Sequence, residues 1–141
     1  MPIQIVLQPL FVEVFLTFVM MFWMAYERAG ALKSRQTRIA DIALGQSNWP
    51  PRVLQVSNNY NSQFQLPVLF YVLTIVSILT RHADVIFVVL AWVFVLSRVV
   101  HSYIHASTNY VPHRFNAFAF GAIVLLIMWG IFAVRILLGL P

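Results

Sequence analysis

Arg98, His101 and His105 stand at i, i+3 and i+7 in RVVHSYIH, the end of an otherwise apolar run. On a helix this spacing gathers one guanidinium and two imidazoles on a single face. Such a face offers fixed positive charge and several N–H donors, the equipment for holding an anion. Each residue alone fits an interfacial anchor or a hydrogen-bonded core histidine. Three on one face favour a site turned toward protein or water.

Two further segments carry polar chemistry. In NNYNSQFQLPVLFY the amides Asn58, Asn59, Asn61, Gln63 and Gln65 precede an apolar helix. One or two of them suit capping and interfacial anchoring, and five exceed what capping needs. Pro67 removes a backbone donor and is expected to kink that helix, freeing a carbonyl. In ASTNYVPHRFNAF, Arg114 falls near a helix start, where the dipole already favours an anion. A guanidinium there adds to the positive potential, and with Arg98 and Arg28 it reads as an anion site. The HxxxH pair His101 and His105, with His113, invites a zinc reading. The neighbouring arginines and the lack of a nearby carboxylate argue against it, and no metal is expected. Glu13 lies deep in the first apolar run, where it pairs with Arg98, pairs with another helix or carries a proton.

The elements that position these residues are read from hydropathy. The 141 residues are 61% hydrophobic and 9% charged, against roughly 25% charged in soluble domains. Four apolar runs, about 4–26, 60–80, 84–105 and 115–138, are each long enough to cross about 30 Å of hydrocarbon. Lipid demands internally satisfied backbone, so the expected fold is an all-α integral membrane protein, a four-helix bundle forming one domain. At mid-membrane an arginine costs about 2.5–3.5 kcal/mol, but Arg98 is close enough to its helix end to snorkel. The first run lacks the basic flank of a signal peptide and is taken as a retained helix. No cysteine is present, so any thiol chemistry must use a bound small molecule.

One connection is long, about 27–59, with Pro50 and Pro51 before the second helix and a possible short interfacial helix in RQTRIADIAL. It carries Arg28, Lys33, Arg35, Arg38 and Arg52, and the third-to-fourth connection adds Arg114. Positive-inside bias therefore puts the long loop in the cytoplasm and both termini outside. In that arrangement Arg28, Arg52, the amide cluster, the Arg98–His105 stripe and Arg114 share one membrane face. Membrane lipids are the expected surroundings, and no nucleic-acid partner is indicated.

RVVHSYIHASTNYVPHRF resembles the MAPEG family, membrane-associated proteins in eicosanoid and glutathione metabolism, in its Arg, the His three on, and the later Pro-x-Arg. NNYNSQFQLPVLFYVL is similar to the bacterial branch of that family. The resemblance implies a homotrimer in a bacterial inner membrane, with glutathione as cofactor between subunits near the cytoplasmic face. By position Arg114 resembles the arginine that stabilises the glutathione thiolate, and Arg28 the basic residue a neighbouring subunit contributes. Arg98 and His101 resemble structural or glutathione-contacting residues, while His105 stands where Tyr is common. One of Asn58, Asn59 and Asn61 resembles the helix-two Asn, and Gln65 stands where bacterial relatives often have Glu.

The chain departs from the pattern at the Glu expected three residues after that Asn, since those positions hold Asn61, Ser62 or Phe64. No acidic residue occurs between Asp41 and Asp84. The function implied is binding of glutathione, or a similar anionic thiol, and its addition to a lipophilic electrophile or use in reducing a lipid hydroperoxide. The alternative is a non-catalytic trimer that binds anionic lipid or a lipophile in its basic pocket. A transporter is disfavoured by the lack of an inverted repeat.

Overall fold

The computed structural model describes residues 1–45 and 48–141. It contains α1 (Ile3–Lys33), α2 (Ile39–Ile42), α3 (Pro51–Ser62), α4 (Leu66–Leu79), α5 (Val85–Ala106) and α6 (Val111–Leu137), with no strand among the described residues. Four stretches have the length and composition to cross a membrane: α1, α3 with α4, α5 and α6. Successive spans run in opposite directions, so the end of α1, the start of α3, the end of α5 and the start of α6 meet at one end of the bundle. For convenience this is called the polar end.

Helix ends depart from the hydropathy boundaries for local reasons. α1 continues to Lys33 because ERAGALK is rich in strong helix formers, and hydropathy registers lipid thickness, not helix length. Its 31 residues span about 46 Å against about 30 Å of hydrocarbon. The connection is thereby reduced to 34–50, and RQTRIADIAL yields only the four-residue α2. Part of that connection, Gln46 and Ser47, lies outside the described residues. Pro51 occupies the first turn of α3, where a missing N–H costs nothing. The second span is interrupted at Gln63–Gln65, and Pro67 opens α4 instead of kinking a continuous helix. Pro112 likewise sits in the first turn of α6, which starts at Val111. Arg35 and Arg81 end their helices at φ 60°, and Asn109 does so at φ 51°.

The interior is layered. Val6, Phe70, Leu73, Phe94, Val95, Val124 and Leu125 belong to one apolar cluster, and Met20, Val56 and Ala106 form a second toward the polar end. Along each of the helices that build them, buried polar residues fall between: Glu13 in α1, Asn59 and Ser62 in the second span, Arg98 and Ser102 in α5. Outside, Phe11, Phe15, Phe18 and Phe22 of α1 are exposed, as is Leu126 of α6, which suits an apolar solvent. α5 contacts α6, α1 and α3. It meets α6 tightly at Gly121, where an added Cβ would lie 2.7 Å from Ser97 Oγ. Ala117 and Gly121 give α6 the small-xxx-small spacing that allows helices to pack closely in lipid.

The opposite end is closed by Asp84. Its Oδ1 accepts from the Phe87 backbone N–H at 3.0 Å, capping α5, and Arg135 Nη2 lies 2.7 Å from Oδ2. Burial pulls the Asp84 carboxyl upward, but the hydrogen bonds from Arg135 and Phe87 and the Arg135 charge outweigh it, holding the group below the usual carboxylate range.

Candidate functional site

At the polar end, α3, α5 and α6 border an open cleft of about 520 Å³. α3 and its break contribute Asn58, Asn61, Ser62 and Gln65; α5 contributes His101 and His105; α6 contributes Val111, Arg114, Phe115 and Phe118. The three amides are exposed on the cleft side and repeat at i, i+3 and i+7, the spacing of the α5 stripe they face. Polar groups thus line two walls, and the α6 wall combines Arg114 with apolar side chains.

Helix periodicity explains which stripe residues reach the cleft. Arg98, His101 and His105 are all turned inward, with Arg98 only 1% exposed. His101 and His105 pack edge to face, ring centroids 5.6 Å apart, and Phe118 lies 6.0 Å from His101. Their Nδ1 atoms are buried without a protein hydrogen-bond partner. No protein hydrogen bond fixes either tautomer, so each neutral imidazole brings one donor and one acceptor to the site. Arg98 sits one layer behind: its Nη2 donates to Ser62 O at 3.2 Å and Ser62 Oγ at 3.0 Å. Ser62 therefore stands between this guanidinium and the cleft.

Half-buried Arg114 donates through Nη1 to Asn109 Oδ1 at 2.8 Å. Asn109 is the left-handed residue that ends the turn after α5, so the α5–α6 turn itself aims the guanidinium.

The other predicted site residues occupy the seams between helices. Asn59 is fully buried, donating Nδ2 to Ser102 O at 2.8 Å and accepting at Oδ1 from Gln63 Nε2 at 3.2 Å. Gln63 also donates to Ser102 Oγ at 2.9 Å. Arg28 donates from Nε to Ser57 Oγ at 3.2 Å, with its guanidinium 5.1 Å from the Trp49 ring centre. Arg52 donates to Ala106 O and stacks 5.0 Å from the Trp23 ring centre. Arg28, Arg52, Asn59 and Arg98 therefore join α1, α3 and α5, whereas Asn58, Asn61, Gln65, His101, His105 and Arg114 line the cleft.

Gln55 and Ser62 were not singled out by sequence reasoning. Gln55 Nε2 donates to His105 O at 2.7 Å and Ser107 O at 3.0 Å, satisfying carbonyls that a helix end leaves open. Extending the i, i+3, i+7 rule to residues 58, 61 and 65 is the signal that separates the cleft amides from Asn59.

The chain has four acidic residues, and none lines the cleft. Glu13 is buried in α1 with neither carboxylate oxygen hydrogen-bonded. Of the three alternatives for Glu13, a close ion pair with Arg98 is not formed; among the described residues, the one such pair is Arg135–Asp84. Glu27 accepts from Trp23 Nε1 at 3.3 Å, and Asp41 belongs to α2. Among the described residues no group of three or more His, Cys, Asp or Glu is placed to hold a metal ion.

The model of the MAPEG family matches residues 6–134. Comparison with curated proteins and with solved structures gives no match.

Proposed function

The chain belongs to the MAPEG family, and from that premise we propose that the cleft binds glutathione, or a similar anionic thiol, and presents its sulfur to a lipophilic substrate. The observation that carries this reading is the cleft's composition: Arg114 with two imidazoles and three amides beside Phe115 and Phe118. A free thiol of pKa about 8.5 is a poor nucleophile at neutral pH, and a guanidinium beside it stabilises the thiolate. The thiol proton passes to water and Arg114 holds the anion before attack. The sulfur lone pair then forms the new bond to an electrophilic carbon while a leaving group departs with its bonding pair, or while a conjugated π bond gives up its pair to a proton from water. With a hydroperoxide, one thiolate attacks the terminal oxygen and releases the alcohol. A second thiol then displaces water from the resulting sulfenic acid, giving the disulfide.

Phe115 and Phe118 line the apolar side of the cleft, which is where a substrate arriving from the bilayer meets the sulfur. Under this proposal the chain assembles as a homotrimer in a bacterial inner membrane, with the polar end and the 34–50 connection cytoplasmic. The charge bias of that end supports the orientation. Arg114→Ala is expected to abolish glutathione-dependent turnover in purified protein while leaving oligomeric state unchanged; retained turnover removes Arg114 from the chemistry.

A second reading is favoured by one observation, the lack of a carboxylate to receive glutathione's amino group. On that reading the scaffold is non-catalytic and the cleft holds an anionic lipid head group. Thermal stabilisation by millimolar glutathione in detergent supports the thiol reading, because a ligand that binds only the native state raises its stability. No stabilisation supports the lipid reading.

A further inference from the structure

We infer that the cleft selects anions that carry no ammonium group. The inference rests on the reading of this cleft as an anion site and narrows the chemical class of its ligand. The formal charge facing the space is of one sign. Arg114 is cationic, no carboxylate lines the cleft, and the imidazoles and the amides of Asn58, Asn61 and Gln65 add neutral donors and acceptors. Behind Ser62, Arg98 adds a second guanidinium that no carboxylate neutralises at ion-pair distance.

The acidic residues are accounted for elsewhere. Glu13 is enclosed in the bundle, Glu27 is bonded by Trp23, Asp41 is on α2, and Asp84 is at the far end with Arg135. Within one protomer a ligand ammonium in the cleft therefore meets neutral carbonyl and hydroxyl oxygens and the Arg114 guanidinium, with the Arg98 guanidinium behind Ser62, in a partly desolvated space. Like charge so placed lowers affinity. A ligand whose amine is acylated loses that repulsion while keeping its carboxylates and thiol. A phosphodiester head group with a neutral polyol fits the same rule, and one with an ethanolamine does not.

The test uses the full chain purified in detergent, with dissociation constants read from thermal stabilisation for two ligand pairs. The first pair is reduced glutathione and its N-acetyl derivative; the second is dihexanoyl phosphatidylglycerol and dihexanoyl phosphatidylethanolamine. The expected result is that N-acetylglutathione binds more tightly than glutathione, by about threefold or more, and the phosphatidylglycerol more tightly than the phosphatidylethanolamine. Gln65→Glu, which puts a carboxylate on the cleft wall, is expected to reverse the order by about tenfold in relative affinity. Asn61→Asp serves the same purpose if the first variant does not fold.

Wild-type preference for glutathione by tenfold or more overturns the inference while leaving the thiol reading intact. If neither thiol binds but the phosphatidylglycerol stabilises and the phosphatidylethanolamine does not, the thiol reading fails and ammonium exclusion stands, with lipid as the ligand. Absence of discrimination in both pairs, including absence of binding, overturns the inference.

Discussion

At the scale of single residues, adjacent asparagines have opposite work. Asn59 is buried and bonded on both sides, so Asn59→Ala strands Ser102 O and Gln63, and is expected to cost about 1–3 kcal/mol of stability. Asn58→Ala and Asn61→Ala remove exposed amides and are expected to change stability by no more than about 0.5 kcal/mol while weakening ligand binding. Thermal midpoints and glutathione titrations of the three variants check both halves of this contrast. The sequence made the amide cluster visible but not its register, because which side of a helix faces the cleft depends on how α3 is rotated against α5. Asp84 supplies a pH test. Its carboxyl is held below the unfolded value of about 3.9, so its contribution is fully present above that pH and is lost as pH falls through the folded value. The side chain is 42% exposed, so solvent screening limits the effect to less than about 1 kcal/mol. Melting curves for wild type and Asp84→Asn are expected to converge as the solution is acidified.

At the scale of elements, hydropathy located four spans because lipid thickness imposes a length on apolar runs. It did not reveal the end of α1 or the break between α3 and α4, which depend on polar helix formers and on side chains from α5. The α5–α6 contact was equally hidden, since small residues are inconspicuous in an apolar sequence. Gly121→Ala forces its Cβ against Ser97 Oγ and is expected to destabilise the helix pair by about 1–3 kcal/mol. Combining it with Ser97→Ala removes the nearest obstructing atom, and recovery of half or more of the lost thermal stability is expected. Additive losses in the double variant show that the two helices do not meet there.

At the scale of the whole molecule, the polar end concentrates the cleft-lining groups, and its side of the membrane decides which solutes reach them. The chain contains no cysteine, so single cysteines at Gln36 and Arg81 report topology without background. An impermeant maleimide added outside intact cells is expected to label position 81 and spare position 36. The layered core also bears on biogenesis. Arg98 donates to Ser62, which lies 36 residues earlier in the chain. Asn59 likewise precedes its partner Ser102, by 43 residues. An isolated α5 would have to snorkel its guanidinium to the interface, avoiding a mid-membrane cost of about 2.5–3.5 kcal/mol only by giving up its bonds inside the bundle. During synthesis, however, α3 leaves the ribosome first. When Arg98 is synthesised, the serine that accepts from it has therefore already been made, and translation order runs from acceptor to charge.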